Sequence, residues 1–448
     1  MDVAEPERRR ILAATSVSYV VVILDTSIVN VALERLSAAF SAPIEGLQWV
    51  VNGYTVSFAA LLLTGGRLGD RYGARNAYLA GLGLFTLASL LCACATGLFS
   101  LVAARVLQGI GAALLVPGSL KLIDHASPNA EKRARAIGLW AGCGAIAMAA
   151  GPVVGGILID SLGWRSIFFV NVPIGAAGMA MTWRIAHDGP RVKAQPLDIL
   201  GQVAAIIGLV GLIGVLIEAP AFGWTSPAIL IGATVTLFAC TLFVAIERRG
   251  DHPMLPVRLF RSAVFTGSVY VSCASAFVFY GLLFVLSLTF QQVRGWTAFE
   301  TGLALLPMTT MVAAGSMLSA AIVKAIGSRR SLSAAFLVYP GGAFGLILAG
   351  TTTSYAYALP ALLAIGFASG FISPAATAPA LGTVEKERVG IAAGVLNAAR
   401  QAGAAAGVAI LGSQVTETIT QTSGTNPALW LLAVVSVVTA CIWWRMSG

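Results

Sequence analysis

Fourteen long, continuous apolar runs constrain this chain more than any other feature it has. They fall at about 11–33, 46–64, 76–95, 99–121, 136–159, 166–186, 198–218, 227–246, 263–290, 301–323, 331–350, 356–381, 388–412 and 427–445. Each is near the roughly 20 residues that an α-helix needs to cross a bilayer core. In lipid the backbone must bond its own polar groups, which leaves helices and closed barrels as spanning structures. Barrel strands alternate apolar and polar positions, and these runs do not. Apolar residues make up 57% of the 448 and charged residues only 10%, whereas soluble domains carry about 25% charge. The expectation is an all-α membrane protein with short connections.

The charges point to a topology. With the N-terminus placed in the cytoplasm, 23 of the 28 lysines and arginines fall at cytoplasmic ends and loops. Arg35, Arg165 and Arg294 fall outside, and Arg105 and Arg400 fall within spans. This is the positive-inside distribution, with both termini cytoplasmic. It accounts for the net charge of +9, so nucleic acid is not an expected partner. The first run contains Asp25 and is too long for a cleaved leader, so it reads as a retained helix.

All six cysteines lie in apolar runs, and His125, His187 and His252 lie in polar connections. No spacing suggests a metal site or a disulfide framework. No nucleophile–base set stands at membrane depth, so an enzyme is not expected. No cofactor is expected either.

Glycine and basic residues recur after the second span (GGRLGDRYGAR, 65–75) and after the tenth (KAIGSRR, 324–330). Aligning Gly73 on Gly327 sets two six-helix blocks of nearly equal length against each other. The expected plan is 6 + 2 + 6: a bundle over 1–187, two inserted spans with flanking cytoplasmic loops over 188–262, and a second bundle over 263–448. Two pseudo-symmetric halves are a transporter architecture. A monomer is expected, since the two halves already enclose a path.

Charges inside a bilayer are costly and face a cavity or a partner. Asp25 lies about 12 Å below the outer end of the first span, and Arg105 about 9 Å below that of the fourth. The two can share one level. A neighbouring arginine favours the ionised carboxylate and burial favours the protonated one. A carboxylate held between these influences can take up and release a proton. A static ion pair that fixes helix packing is the other reading, though such a pair is a poor source of stability. Asn30 and Gln108 could extend the network or make ordinary interhelical bonds. Arg400, with Asn397 and Gln401, sits mid-way along the thirteenth span with no obvious acid partner. It could face a central cavity and meet an anionic group, repel a cation, or bond backbone carbonyls. Glu218, Asp160 and Asp124 stand at span ends, where solvated termini are the ordinary reading, and Glu218 is the one to test as a cation contact.

The fifth span carries AMAAGPVVGG, 147–156. Gly151 and Gly155, with Gly156 beside them, let another helix approach closely. Pro152 lacks an N–H and can bend the helix. A tight, sliding contact between the halves is expected, with simple packing as the alternative.

These segments together resemble the major facilitator superfamily, in its 14-helix drug:proton antiporter branch. LDTSIVNVALERL, 24–36, is similar to that branch's first-helix signature, with Glu34 where proline is usual. GRLGDRYGAR, 66–75, is similar to motif A, matching at Gly66, Asp70, Arg71, Gly73 and Arg75, with Ala74 replacing a basic residue. RVLQGIGAA, 105–113, resembles motif B, whose arginine takes part in proton coupling. GPVVGG, 151–156, resembles the antiporter motif C, with Ala147 where glycine is usual. WRSIFFVNVPIG, 164–175, and the Arg400–Gln401 pair also look like this branch. The resemblance implies the major facilitator fold and export of a compound against proton entry by alternating access. It implies a multi-pass protein of the bacterial cytoplasmic membrane. Asp70, amid basic residues at a helix junction, can bond a helix N-terminus or basic groups across the interface and latch the cytoplasmic side.

The substrate is the least legible part. A site that accepts many amphipathic compounds needs aromatic and Met contacts that can re-pack. Trp49, Tyr54, Phe58, Phe279, Tyr280, Phe284, Met308 and Met311 are the positional candidates. Few acids lie mid-span beyond Asp25, which favours monocationic, neutral or weakly anionic compounds over dications. The alternatives are a proton-coupled transporter of one metabolite or natural product, and a non-transporting membrane sensor.

Overall fold

Each apolar run becomes a helix, and the breaks fall where local chemistry forces them. The computed structural model describes residues 5–127, 129–185, 198–250, 254–350, 354–385, 388–415 and 427–447. His187, Arg191, Lys193, His252 and Lys386 lie outside the described residues. The helices in chain order are α1 (Glu5–Ile28), α2 (Leu33–Phe40), α3 (Ile44–Tyr72), α4 (Ala74–Ala93), α5 (Leu98–Ala126), α6 (Ala130–Leu162), α7 (Ser166–Phe169) and α8 (Asn171–Ile185). Then come α9 (Ile199–Phe222), α10 (Pro227–Arg249), α11 (Ala263–Leu288), α12 (Ala298–Ile326), α13 (Ser328–Gly350), α14 (Leu359–Gly382), α15 (Val389–Ser413) and α16 (Pro427–Met446). No strand occurs among the described residues.

Thirteen of the described helical segments are long and apolar enough to cross a membrane by length and composition. The expected span at 388–412 is also a helix, the 25-residue α15. Its glycines, with Asn397, Arg400 and Gln401, make it more polar than its neighbours. Successive helices run in opposite directions, so one end of the molecule carries Arg35 and Asp160 and the other carries Asp70 and Lys121.

The first span is α1, a 3-10 turn at Val29–Ala32, and α2. Asn30 explains the change of geometry. Its side-chain amide donates to the Thr26 carbonyl at 3.1 Å, competing with the backbone ladder. In the sixth span Pro173 leaves the Phe169 carbonyl without its helical donor, and the helix is interrupted between α7 and α8. The first helix of the second block, α11, also departs from regular geometry, in a π-turn at Thr289–Val293. The 3-10 turn meets α11 just before that π-turn, where the Ser287 hydroxyl donates to the Asn30 carbonyl at 2.6 Å. Such departures recur at hinges and functional sites.

Gly73 joins α3 to α4 at φ 94°, and Gly327 joins α12 to α13 at φ 82°. Only glycine adopts that region without strain. The two aligned sequence positions therefore make the same backbone turn.

Burial separates the core from the periphery. The window of the α11 span is 89% buried and that of α10 is 17% buried, so α11 is central and α10 peripheral. Helix α9 packs against α3 and α15, and α10 packs on α9. The α9 helix is tied to α3 near both ends. Trp49 Nε1 donates to Glu218 at 2.7 Å, and Gln202 Nε2 donates to the Ala60 carbonyl at 2.9 Å. Against α15 it presents Ile213 and Ile217, clustered on Ala405 and Ala409.

Candidate functional site

Asp25 is the hub of a sealed polar cluster. Its side chain is 0% exposed and that of its ion-pair partner Arg105 is 1% exposed. Asp25 Oδ2 accepts from Arg105 Nη1, while Oδ1 accepts from Gln108 Nε2 at 2.8 Å and from Asn171 Nδ2 at 3.0 Å. Gln108 also accepts from Arg105 Nη1 at 2.6 Å and donates to Ser89 Oγ at 2.9 Å. Arg105 Nε donates to the Val50 carbonyl on α3 at 3.1 Å. Its guanidinium lies 4.5 Å from the centre of the Tyr54 ring. The cluster thus draws on α1, α3, α4, α5 and α8.

The helix register explains this convergence. Gln108 is one turn beyond Arg105 and shares its face. Asn171 stands at the first position of α8, where the interruption turns its amide inward to Asp25. Asn171 and Ser89 are members of the network that the sequence reading did not single out. The signal for Asn171 was there: one amide inside the aromatic and aliphatic run of 164–175. Ser89 offered none, since serines are common in spans. Asn30 does not extend the network, because its amide is spent on its own helix and its carbonyl on Ser287.

The glycines of α6 serve two contacts. A side-chain carbon on Gly155 would meet Val31 at 2.8 Å, and one on Gly151 would meet the Ser27 side chain, so both face α1. Gly156 faces the second block instead. There a Cβ would lie 2.6 Å from the Ala298 carbonyl oxygen and 2.7 Å from the Phe299 nitrogen of α12. Gly302 of α12 returns the contact, meeting the backbone of Pro152. Close by, Asp160 accepts the Phe299 N–H at 2.9 Å and lies 3.6 Å from Arg35. The α6–α12 seam is therefore a backbone-to-backbone contact at the Arg35 end.

A bulkier residue cannot fit there. Overpacking of this kind costs about 1–3 kcal/mol. Gly156→Val is expected to open the Arg35 end. The readout is maleimide labelling of an Ala298→Cys probe in a background lacking the exposed native cysteines. The probe is protected beside Gly156 and reactive beside valine; equal protection in both would refute the contact.

The Asp70 side chain is bonded within its own block. Lys121 Nζ, at the end of α5, reaches Asp70 Oδ1 at 2.6 Å and the Gly66 carbonyl. Arg75 Nη2 donates to the Trp183 carbonyl at 2.8 Å, and the Arg71 guanidinium lies 5.5 Å from the Tyr72 ring. Among the described residues Asp70 makes no bond to the second block, so the expected latch is not engaged here. The described hydrogen bonds between the blocks lie at the Arg35 end or mid-depth. Besides those above, Gln48 Nε2 donates to the Val408 and Ala409 carbonyls at 3.0 and 2.9 Å, and Thr309 donates to the Ala149 carbonyl at 3.3 Å.

The expected cavity residues divide. Phe279, Phe284 and Met308 are 3%, 0% and 0% exposed and belong to the largest apolar cluster. They pack between helices rather than line an open path in this conformation. Tyr54 and Phe58 are buried beside each other, under and next to Arg105. Trp49 and Glu218 bond each other on the outer side of the α3–α15 seam, away from the space between the blocks. Helix α9 covers that seam, which a reading of span ends could not show. Tyr280 and Met311 remain half-buried. Arg400, also half-buried, donates to Ser373 Oγ and to Asn397 Oδ1, the latter at 3.1 Å. Gln401 is half-buried beside it.

A bundle of membrane-length helices with a carboxylate–guanidinium cluster buried inside its first block has the architecture of a membrane transporter. The chain belongs to the Major Facilitator Superfamily, whose sequence profile matches residues 15–408. It is 38% identical over 402 residues to a methylenomycin A resistance protein of Streptomyces coelicolor, covering 90% of this chain and 84% of that one. It is 37% identical over 402 residues to the multidrug resistance protein Stp of Mycobacterium tuberculosis, covering 90% and 75%. Among solved structures it is similar to a D-xylose–proton symporter, with a TM-score of 0.70 at 14% identity over 98% of this chain and 97% of that one. That likeness is one of fold.

Proposed function

We propose that this protein is a proton-coupled exporter that moves amphipathic drugs or antibiotics out across a bacterial cytoplasmic membrane. In this reading both termini and the Asp70 end face the cytoplasm, and the protein works as a monomer. The observation that carries it is the Asp25 cluster: one carboxylate, fully buried, bound on both oxygens by donors from α5 and α8. The antibiotic-resistance names of the two relatives support export.

In this reading the route from proton to motion runs through Arg105. A proton taken up at Asp25 removes the charge that holds Arg105 Nη1. Arg105 also grips the Val50 carbonyl on α3. Two residues earlier on α3, Gln48 is bonded to α15 of the second block. Protonation at Asp25 thus bears on the α3–α15 seam through one side chain. The seam itself carries unspent polarity, since both polar atoms of the buried Asn52 amide and the Gln48 Oε1 lack partners among the described residues. An unsatisfied buried polar group costs about 1–3 kcal/mol. Another arrangement of the blocks recovers that energy if it pairs these groups, as alternating access requires two arrangements of comparable free energy.

The test is a proteoliposome holding the purified protein and a pH-sensitive dye. Under an imposed proton gradient, amphipathic antibiotics are expected to drive proton movement that empty liposomes do not show. Transport of a compound with no accompanying proton movement would overturn the coupling.

A further inference from the structure

The two arginines within the spans are not compensated alike. Asp25 and Arg105 neutralise each other inside a sealed cluster. Arg400 has no such partner: its protein hydrogen bonds are to a serine hydroxyl and an asparagine carbonyl, both neutral. Among the described residues no carboxylate pairs with it. Three acids outside the Asp25 cluster are engaged elsewhere. Asp70 is held by Lys121, Asp160 by Arg35 and the Phe299 N–H, and Glu218 by Trp49. With only these two bonds made, most of the guanidinium's N–H donors stay open.

Two phenols complete the surroundings. Tyr19 of α1 and Tyr280 of α11 lie within electrostatic range of the Arg400 guanidinium. Both are half-buried. Neither hydroxyl has a hydrogen-bond partner among the described residues, and neither is sealed from solvent. Tyr19 lies flat on Trp140 of α6, with ring centroids 3.6 Å apart and planes 17° from parallel. Tyr280 stands edge-on to Phe279 at 5.3 Å. An uncompensated guanidinium, two free phenol donors and an aromatic floor are thus drawn from both blocks. Tyr19 precedes Asp25 by six residues, which places it about 9 Å along the helix toward the Asp70 end. Tyr19 thus stands apart from the Asp25 cluster.

We propose that Arg400, Tyr19 and Tyr280 form a subsite for the anionic group of an amphipathic organic monoanion, such as a carboxylate, whose ring rests on the Tyr19–Trp140 stack. Arginine suits this task because its planar fork matches a carboxylate with two parallel bonds. Removal of water from a partly buried site strengthens that contact. A cationic ligand would meet the like charge of Arg400 there. The inference rests on the export reading for its biological sense but not for its chemistry.

Three probes of one shape test it: 1-naphthoate, 1-naphthamide and 1-naphthylmethylammonium. Binding is measured to the full chain in nanodiscs of zwitterionic lipid. Naphthoate is expected to bind roughly tenfold or more tightly than naphthamide, the range of one charge-assisted contact, with the ammonium weakest. Arg400→Gln is expected to bring naphthoate down to the naphthamide level while naphthamide affinity holds, which also reports that the variant is folded. Arg400→Lys is expected to keep a reduced preference, because a point charge cannot form the fork. Should Arg400→Gln not fold, a Tyr19→Phe, Tyr280→Phe double variant decides, with a several-fold loss for naphthoate alone. Equal binding of naphthoate and naphthamide, no naphthoate binding, preference for the ammonium, or an undiminished preference in the variants overturns the proposal. Naphthoate preference with no drug-driven proton movement would refute antiport and leave the subsite. Proton movement driven by cations alone would refute the subsite and leave antiport.

Discussion

Asp25→Asn is expected to reduce proton-driven transport to the background of empty liposomes while the protein still folds and binds substrate. The side chain keeps its shape, so helices α1, α5 and α8 can pack as before. Its chemistry changes in two ways. Asparagine cannot exchange a proton, so the gradient has nothing to act upon. It also presents an N–H toward a cluster whose neighbours at that point, Arg105 Nη1, Gln108 Nε2 and Asn171 Nδ2, are all donors. One donor is left facing another, at a cost of about 1–3 kcal/mol. That is small enough for a folded protein with a modestly lowered melting temperature. Substrate affinity is expected to lose its dependence on pH, because the group that links the two is gone. The measurement pairs dye-reported proton flux with direct binding at two pH values. Wild-type proton flux in the variant would sink the proton role of Asp25 and leave the static ion pair as the better account.

Much of the fold was legible because lipid removes choices. An apolar run of helical length can only be a helix there. The depth arithmetic that put Asp25 and Arg105 at one level needed only the rise per residue, and the structure joins them. The aligned glycines at 73 and 327 were legible too, since a turn between antiparallel spans that needs positive φ selects glycine. Other features depend on rotation about each helix axis, which weak amphipathicity does not encode. Thus Phe284 and Met308 face the core, Trp49 faces Glu218, and Asn30 folds back on its own helix. Asn171 was hidden for a different reason. Its inward aim comes from the break between α7 and α8, and that follows from Pro173 only once the span's position is known. Tyr19 and Trp140 passed unremarked because an aromatic in a span ordinarily packs or meets lipid.

Arg105→Ala tests the same cluster from its other side, and the larger effect is expected on the fold itself. Removing the guanidinium leaves the Asp25 carboxylate, 0% exposed, without its counter-charge. Breaking a buried pair from one side costs about 3–5 kcal/mol. The carboxyl's ready escape is to take a proton and stay neutral. The variant then resembles a permanently protonated transporter. The Val50 carbonyl and Gln108 Oε1 also lose their donor. Tyr54, whose ring faces the guanidinium, loses its cation. The predicted protein melts well below the parent, and its coupled transport falls to background even where the fold survives. Arg105→Lys separates the two effects. An ammonium can compensate the charge, but it cannot reach Asp25, Gln108 and the Val50 carbonyl together as a planar fork does. It is expected to recover most of the melting temperature and little of the coupling. If lysine restores both, charge alone suffices and the link from Arg105 to α3 carries no signal. If alanine transports and melts like the parent, the pairing with Asp25 is not what the protein uses, and the proton site must lie elsewhere.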